Sequence, residues 1–195
     1  ARVRVLLSLG FLTGWLGDLT RASALLDEGV AAAGMLGNAG LVAQALLQQA
    51  TLAAARGDLQ AAEGAAREAH ALGATLDAPS VIGWAEHLHA QAALAQGDAA
   101  RFEHHLRVAQ QAFGRGGTTR GIAQIHLLRG LAALAAGEHR RAAAAFAASV
   151  AAAERTRDID TVARAQQMAG EAWLAYGDFV QAHGAFDRAL SYYRA

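Results

Sequence analysis

"AARGDLQAA", residues 54–62, sets a glycine and an acid between two alanine-rich flanks. Alanine has the highest helix propensity, so both flanks read as helix. Glycine just past a helix end takes the left-handed conformation that closes the helix. The acid after it brings a side-chain oxygen to cap the next helix and a charge that suits its positive end. The stretch therefore predicts helix, turn, helix, with Gly57 and Asp58 as the turn. Arg56-Gly57-Asp58 is also a tripeptide that could signal adhesion in an extracellular loop. A turn that the fold itself requires makes Arg56, the last residue of its helix, incidental.

The pair recurs at Gly17-Asp18, Gly57-Asp58, Gly97-Asp98, Gly137-Glu138 and Gly177-Asp178, each 40 residues after the last. A fixed period of this size is the signature of a solenoid or related array. Glu138 is expected to be the weakest of the five caps. Other positions keep the same beat. Seven residues before each turn glycine stand Gly10, Ala50, Ala90, Gly130 and Gly170, and nine after it stand Leu26, Ala66, Leu106, Phe146 and Phe186. Small residues on facing helices let two backbones approach, and the larger residue fills the gap beside them. Asn38, Asp77 ahead of Pro79, Thr118 and Asp158 are expected to start the next helix A.

The prediction is an all-α fold of about ten helices, a right-handed superhelical solenoid of antiparallel helix pairs. A single repeat domain over 1–195 would hold repeats at approximately 1–37, 38–77, 78–117, 118–157 and 158–195. The third repeat departs most, since Phe102 stands where the other repeats have alanine, and its helix pair is expected to splay.

"MAGEAWLAYGDFVQAHGAFDRAL", residues 168–190, resembles a tetratricopeptide repeat (TPR), and "LLRGLAALAAGEHRRAAAAFAASV", 127–150, does so nearly as well. The small residue, the Gly-acid turn, the small-then-aromatic pair and the closing Ala-Leu fall at that family's spacing. The period of 40 exceeds the ordinary TPR length of about 34. In this and in its alanine- and arginine-rich style, the chain is similar to the repeat domains of large bacterial MalT-like, LuxR-type (STAND) transcription regulators. That resemblance implies a cytoplasmic sensor or scaffold flanked by a nucleotide-binding switch and a DNA-binding end. The missing initiator Met and the close at "LSYYRA" lead us to expect a piece of a longer chain.

Composition removes several function classes. All 17 basic residues are arginine, so there is no lysine for a phosphate loop or a Schiff base. The 17 acids balance them, and no bulk field draws nucleic acid or an anionic membrane. There is no cysteine for a disulfide or thiolate site, and no apolar run reaches membrane-spanning length. "GRGGTT", 114–119, could cradle a phosphate, but no strand precedes it, so it reads as an inter-repeat link.

His87 and His89 in the third helix A could approach His104 and His105 in the third helix B. A helical i, i+2 pair points to different faces, so these read as solvated or groove-edge histidines and not as metal ligands. Glu86 and His89 read as an ordinary i, i+3 pair. No catalytic residue, metal site or cofactor is expected, and an enzyme using these histidines is the least favoured function.

The expected site is the groove lined by helix A. Thirteen residues before the turn glycine the row is Arg4, Gln44, Trp84, Gln124 and Arg164. Ten before it is Leu7, Leu47, His87, Leu127 and Gln167, and six before it is Phe11, Thr51, Gln91, Leu131 and Glu171. Spacings of 3 and 4 put the three rows on one helix face. The groove candidates are Arg4, Gln44, Trp84, His87, Gln91, Gln124, Arg164, Gln167 and Glu171, though the leucine rows could equally pack between helices. Such a surface suits a peptide or protein segment, or a small-molecule inducer, with no direct nucleic acid or membrane contact. The alternative function is self-association into a homo-oligomer through terminal helices stacked end to end.

Overall fold

The computed structural model describes residues 2–194. Among these residues there are ten α-helices and no strand: α1 Arg2–Trp15, α2 Leu19–Met35, α3 Ala39–Ala55, α4 Leu59–Thr75, α5 Pro79–Ala95, α6 Ala99–Arg115, α7 Thr119–Ala135, α8 His139–Glu154, α9 Ile159–Tyr176 and α10 Phe179–Tyr193. Odd-numbered helices are the A helices and even-numbered ones the B helices. The chain divides into two compact units, residues 1–116 and residues 117–195.

All the turns share one construction, and its true step is half the period read from the sequence. Positive φ recurs every 20 residues, at Gly17, Gly37, Gly57, Asp77, Gly97, Gly117, Gly137, Arg157 and Gly177. The turns at positions 17, 37, 57, 77, 97, 137, 157 and 177 each close one helix with paired backbone bonds. Asp58 N donates to Ala53 O at 3.0 Å and Gly57 N to Ala54 O at 3.0 Å, and Asp158 and Arg157 repeat this at 3.1 Å on Ala153 and Glu154. This pair of hydrogen bonds is the Schellman closure. The same residue then caps the next helix. The side chains of Asp18, Asn38, Asp58, Asp98, Asp158 and Asp178 each accept from the backbone N–H three residues on.

Three caps depart from that rule. Asp77 does not start α5: it takes the left-handed position at φ 47°, and Ala78 holds the cap position ahead of Pro79. Proline fixes the first-turn φ, so α5 starts without a side-chain cap. Thr118 holds the α7 cap position without a capping bond. Glu138, one methylene longer than aspartate, makes none either, and its carboxylate takes Arg141 at 2.7 Å. "GRGGTT" is the same short turn, with Gly117 at φ 63°. Helices of 17 residues and turns of 3 make 20, so the excess over an ordinary TPR lies in the helices.

Packing follows the small-against-large pattern. Phe186 covers Gly170 so closely that an added Cβ would stand 2.6 Å from the ring, and Gly130 sits under Phe146 in the same way. Alanine fills most of the remaining core. The third repeat does not splay. Phe102 is buried at 4% exposure, and the fully buried Phe113 seats on Gly83, a second close approach that locks α5 to α6. Burying one such phenylalanine contributes about 1.5–3 kcal/mol.

Successive A helices also touch one another, α1 with α3 and α3 with α5 in the first unit and α7 with α9 in the second. No such contact joins α2 to α4, α4 to α6 or α8 to α10 among the described residues. Within each unit the A helices therefore lie closer together than the B helices and form its inner face.

Candidate functional site

The three A-helix rows fare differently. In the thirteen-before row Arg4, Gln44 and Arg164 are exposed. Trp84 is half-buried, with its ring in T-shaped contact with His87 at 5.6 Å and with Phe113 at 5.1 Å, so part of the indole is spent on α6. Gln124 Nε2 donates to Thr161 Oγ1 at 2.9 Å, tying α7 to α9. Thr161 in turn donates to Asp158 Oδ2 at 2.9 Å, and Arg120 pairs with the same oxygen at 2.9 Å. The Gln124 amide is thus a strut between neighbouring A helices. Thr161 and Arg120 had no signal in the sequence beyond lying near the expected caps Asp158 and Thr118.

The ten-before row packs between helices. Leu7 and Leu127 are buried, Leu47 is half-buried, and an added Cβ at Gly29 would stand 2.8 Å from Leu7. His87, 8% exposed, goes with them, because its register position faces helix B. Gln167 stays exposed and donates to Glu171 at 3.2 Å along the helix. In the six-before row Gln91 and Glu171 are half-buried and Phe11 is exposed. The accessible polar positions are therefore Arg4, Gln44 and Thr51, whose hydroxyl donates to the Leu47 carbonyl, in the first unit and Arg164 and Gln167 in the second. No carboxylate pairs with Arg4 or Arg164 among the described residues.

Of the third-repeat histidines His104 is exposed as expected and His105 half-buried, but His87 and His89 are buried. Glu86 and His89 are each 8% exposed. Glu86 does not pair along its own helix with His89. Its carboxylate stands 3.3 Å from His70 Nε2 on α4 and 2.7 Å from His105 Nδ1 on α6. His89 lies against His105 with ring centroids 5.1 Å apart, and His105 meets His104 edge-on at 5.2 Å. Burial of His89 holds its pKa below the ordinary histidine value, and the neighbouring Glu86 only partly offsets this. The sequence placed these rings on two helices but not the carboxylate that gathers them. Among the described residues, no group of three or more His, Asp or Glu is arranged to hold a metal. The cluster instead joins α4, α5 and α6.

Arg56 is exposed, and its guanidinium reaches the Leu19 carbonyl at the start of α2. It braces one hairpin against the next, so the tripeptide is more than a turn with a chance neighbour.

No protein-family model matches the chain, and no curated protein does. Solved structures do. BtubC (BKLC) from P. vanneervenii superposes with a TM-score of 0.72 at 19% identity, covering 98% of this chain and 80% of that one. A kinesin light chain of Podosopora anserina with nearly identical TPR-like repeats gives 0.61 at 19% identity over 98% of this chain and 94% of its own. The MamA protein gives 0.53 at 18% identity, over 98% and 91%. The likeness is one of fold: the chain is a TPR-like array of stacked helix pairs. No helix of the described residues is long and apolar enough to cross a membrane.

Proposed function

We propose that this chain is a non-enzymatic binding module that holds extended protein segments against the inner face of the A helices within each unit. The observation that carries this is the recurrence of exposed, unpaired polar side chains at one register position, Arg4, Gln44 and Arg164, on the face where A helices touch. A guanidinium without an internal carboxylate is a ready bidentate partner for an acidic group. An amide such as Gln44 matches a peptide group, both donor and acceptor. Alanine-rich walls leave room for the segment.

The larger setting we infer is a bacterial transcription regulator, with this chain as a single sensor or scaffold domain, binding a partner or a small-molecule inducer in the cytoplasm. Repeat length and composition support it. The chain's genomic neighbourhood tests it: an encoded phosphate-loop domain and helix-turn-helix in the same reading frame are expected. A second reading, end-to-end self-association, is favoured by the apolar stripe on α1, where Val5, Leu9, Leu12 and Trp15 are all 46% exposed or more. Sedimentation at rising concentration separates the two.

For the binding module, selection from a library of extended peptides is the test. Peptides so selected should lose affinity by about 1–3 kcal/mol on Arg164→Ala or Arg4→Ala, with helicity unchanged. Selected peptides indifferent to both changes would sink the inner-face assignment.

A further inference from the structure

A different face of the second unit carries a cavity of about 430 Å³ between α8 and α10, floored by α9. Its volume falls in the usual range for ligand pockets, about 300–1,000 Å³. The groove itself is generic to the array. The first unit has one at the same register, between α2 and α4 over α3, of about 310 Å³. What fills each groove is not generic.

Where the fold alone decides, the repeat pattern shows what it asks for, and three cavity residues depart from that pattern. Trp173, half-buried in the cavity wall, stands where the preceding repeats have Thr13, Ala53, Ala93 and Ala133. Arg188 replaces Glu28, Glu68, Val108 and Ala148, and Arg140 replaces Thr20, Gln60 and Ala100. All three line the one cavity.

In the first unit, acids at these register positions take up neighbouring donors. Asp27 accepts from Gln49 at 2.6 Å in the groove over α3, and Glu63 on α4 pairs with Arg101 on α6 at 3.0 Å. The counterparts of Asp27 and Glu63 here are Ala147 and Ala143, and no acid lines the cavity. Arg188 is left with a bond to Gln166 Oε1 at 3.2 Å, and Arg140 lies over the Tyr176 ring at 5.7 Å. Neither has a carboxylate partner among the described residues. Removing the built-in acids while adding two guanidiniums and an indole makes a site that needs a carboxylate from outside.

We propose that this cavity binds an acidic peptide segment in which an apolar residue stands beside carboxylates. The guanidiniums of Arg140 and Arg188 take the carboxylates in charge-assisted bonds. Trp173 and the exposed Ala147 take the apolar side chain. The Gln181 amide and the Gln166 amide NH2 offer the donors and acceptors that a peptide backbone needs, which a free acid would leave unused. The site is independent of the A-helix face, since its lining comes from the opposite edge of α9 and from two B helices.

Calorimetric titration of the whole chain with acetyl-Gly-Glu-Phe-Glu-Gly-amide tests this, with the Gln-Phe-Gln peptide and phenylacetate as comparison ligands. The acidic peptide should bind one to one, at least about tenfold more tightly than either comparison. Arg188→Gln, Arg140→Gln and Trp173→Ala should each weaken it about tenfold, and Trp173→Ala restores the residue that three other repeats carry, so its fold is secure. Ala147→Asp should weaken it as much, by returning the internal acid that Asp27 supplies elsewhere. Equal binding of the Gln peptide, indifference to the arginine and tryptophan changes, or no binding at millimolar peptide would overturn the proposal. Phenylacetate binding as tightly as the peptide would also overturn it, assigning the cavity to a free acid.

Discussion

Phe186 on α10 lies directly over Gly170 on α9, close enough that a single methyl at Gly170 would meet the ring at 2.6 Å. The same two register positions hold Ala90 and Leu106 in the third repeat and Ala50 and Ala66 in the second. Size is traded across the pair: the smaller the A residue, the larger the B residue that the hairpin accepts. Gly170→Ala should therefore destabilise the protein by about 1–3 kcal/mol through overpacking, despite alanine's better helix propensity. Adding Phe186→Leu recreates the Ala90–Leu106 pair and should recover most of the loss, a coupling of about 1 kcal/mol. Denaturant melts of the two single variants and the double give the cycle, and strict additivity would show that the pair is not a unit.

The turn glycines make a sharper prediction about shape than about residue type. Gly137 sits at φ 74°, a region that a β-branched residue resists. Gly137→Val should cost about 1–2 kcal/mol, and Gly137→Asn much less. Asp77 and Arg157 already hold the equivalent position at φ 47° and 53°. Thermal unfolding of both variants decides it: equal losses would mean that the conformation is not what glycine supplies.

The 40-residue period was legible because a left-handed turn followed by a cap admits few residue types. The 20-residue step beneath it was not, because Asp77 and Arg157 stand where a search for Gly-acid pairs finds nothing. The same ambiguity drew the α5 start onto Asp77, an acid beside a proline, when it takes the glycine's part. Helix faces were legible from spacing, which is why Leu7 and Leu127 could be suspected of packing between helices. Which exposed-looking residues are already committed was not. Trp84 is half-spent on Phe113, and the Gln124 amide on Thr161, through neighbours distant in sequence. The Glu86 cluster was hidden for the same reason, since His70 and His105 lie on the helices before and after it.

The buried histidine has a pH signature. The pKa of His89 is held below its ordinary value of 6.5 in the folded chain, chiefly by burial. The unfolded chain then binds that proton more readily, so the contribution of His89 to stability is present above about pH 6.5 and is lost as pH falls below it. His126, lowered by burial and Arg129, acts in the same direction. Stability measured by urea titration from pH 7.5 to 5 should decline, and His89→Gln should make the decline shallower without abolishing it. An unchanged or steeper slope in the variant would show that His89 takes up its proton as easily folded as unfolded.

Arg56→Ala is expected to change stability by less than about 0.5 kcal/mol, because its side chain is exposed and its one bond goes to a carbonyl at a helix start. A larger loss in a urea titration would make the brace between hairpins a principal element of the first unit.

The central claim is that partners lie against the inner face of the A helices. Site-specific photo-crosslinking in the native host tests it most directly, with the photoreactive residue placed in turn at Gln44, at Arg164 and, as an outward control on a B helix, at Glu103, all three exposed. The account predicts discrete crosslinked partners from positions 44 and 164 and none from 103. Crosslinks confined to position 103, or the same products from all three, would contradict it.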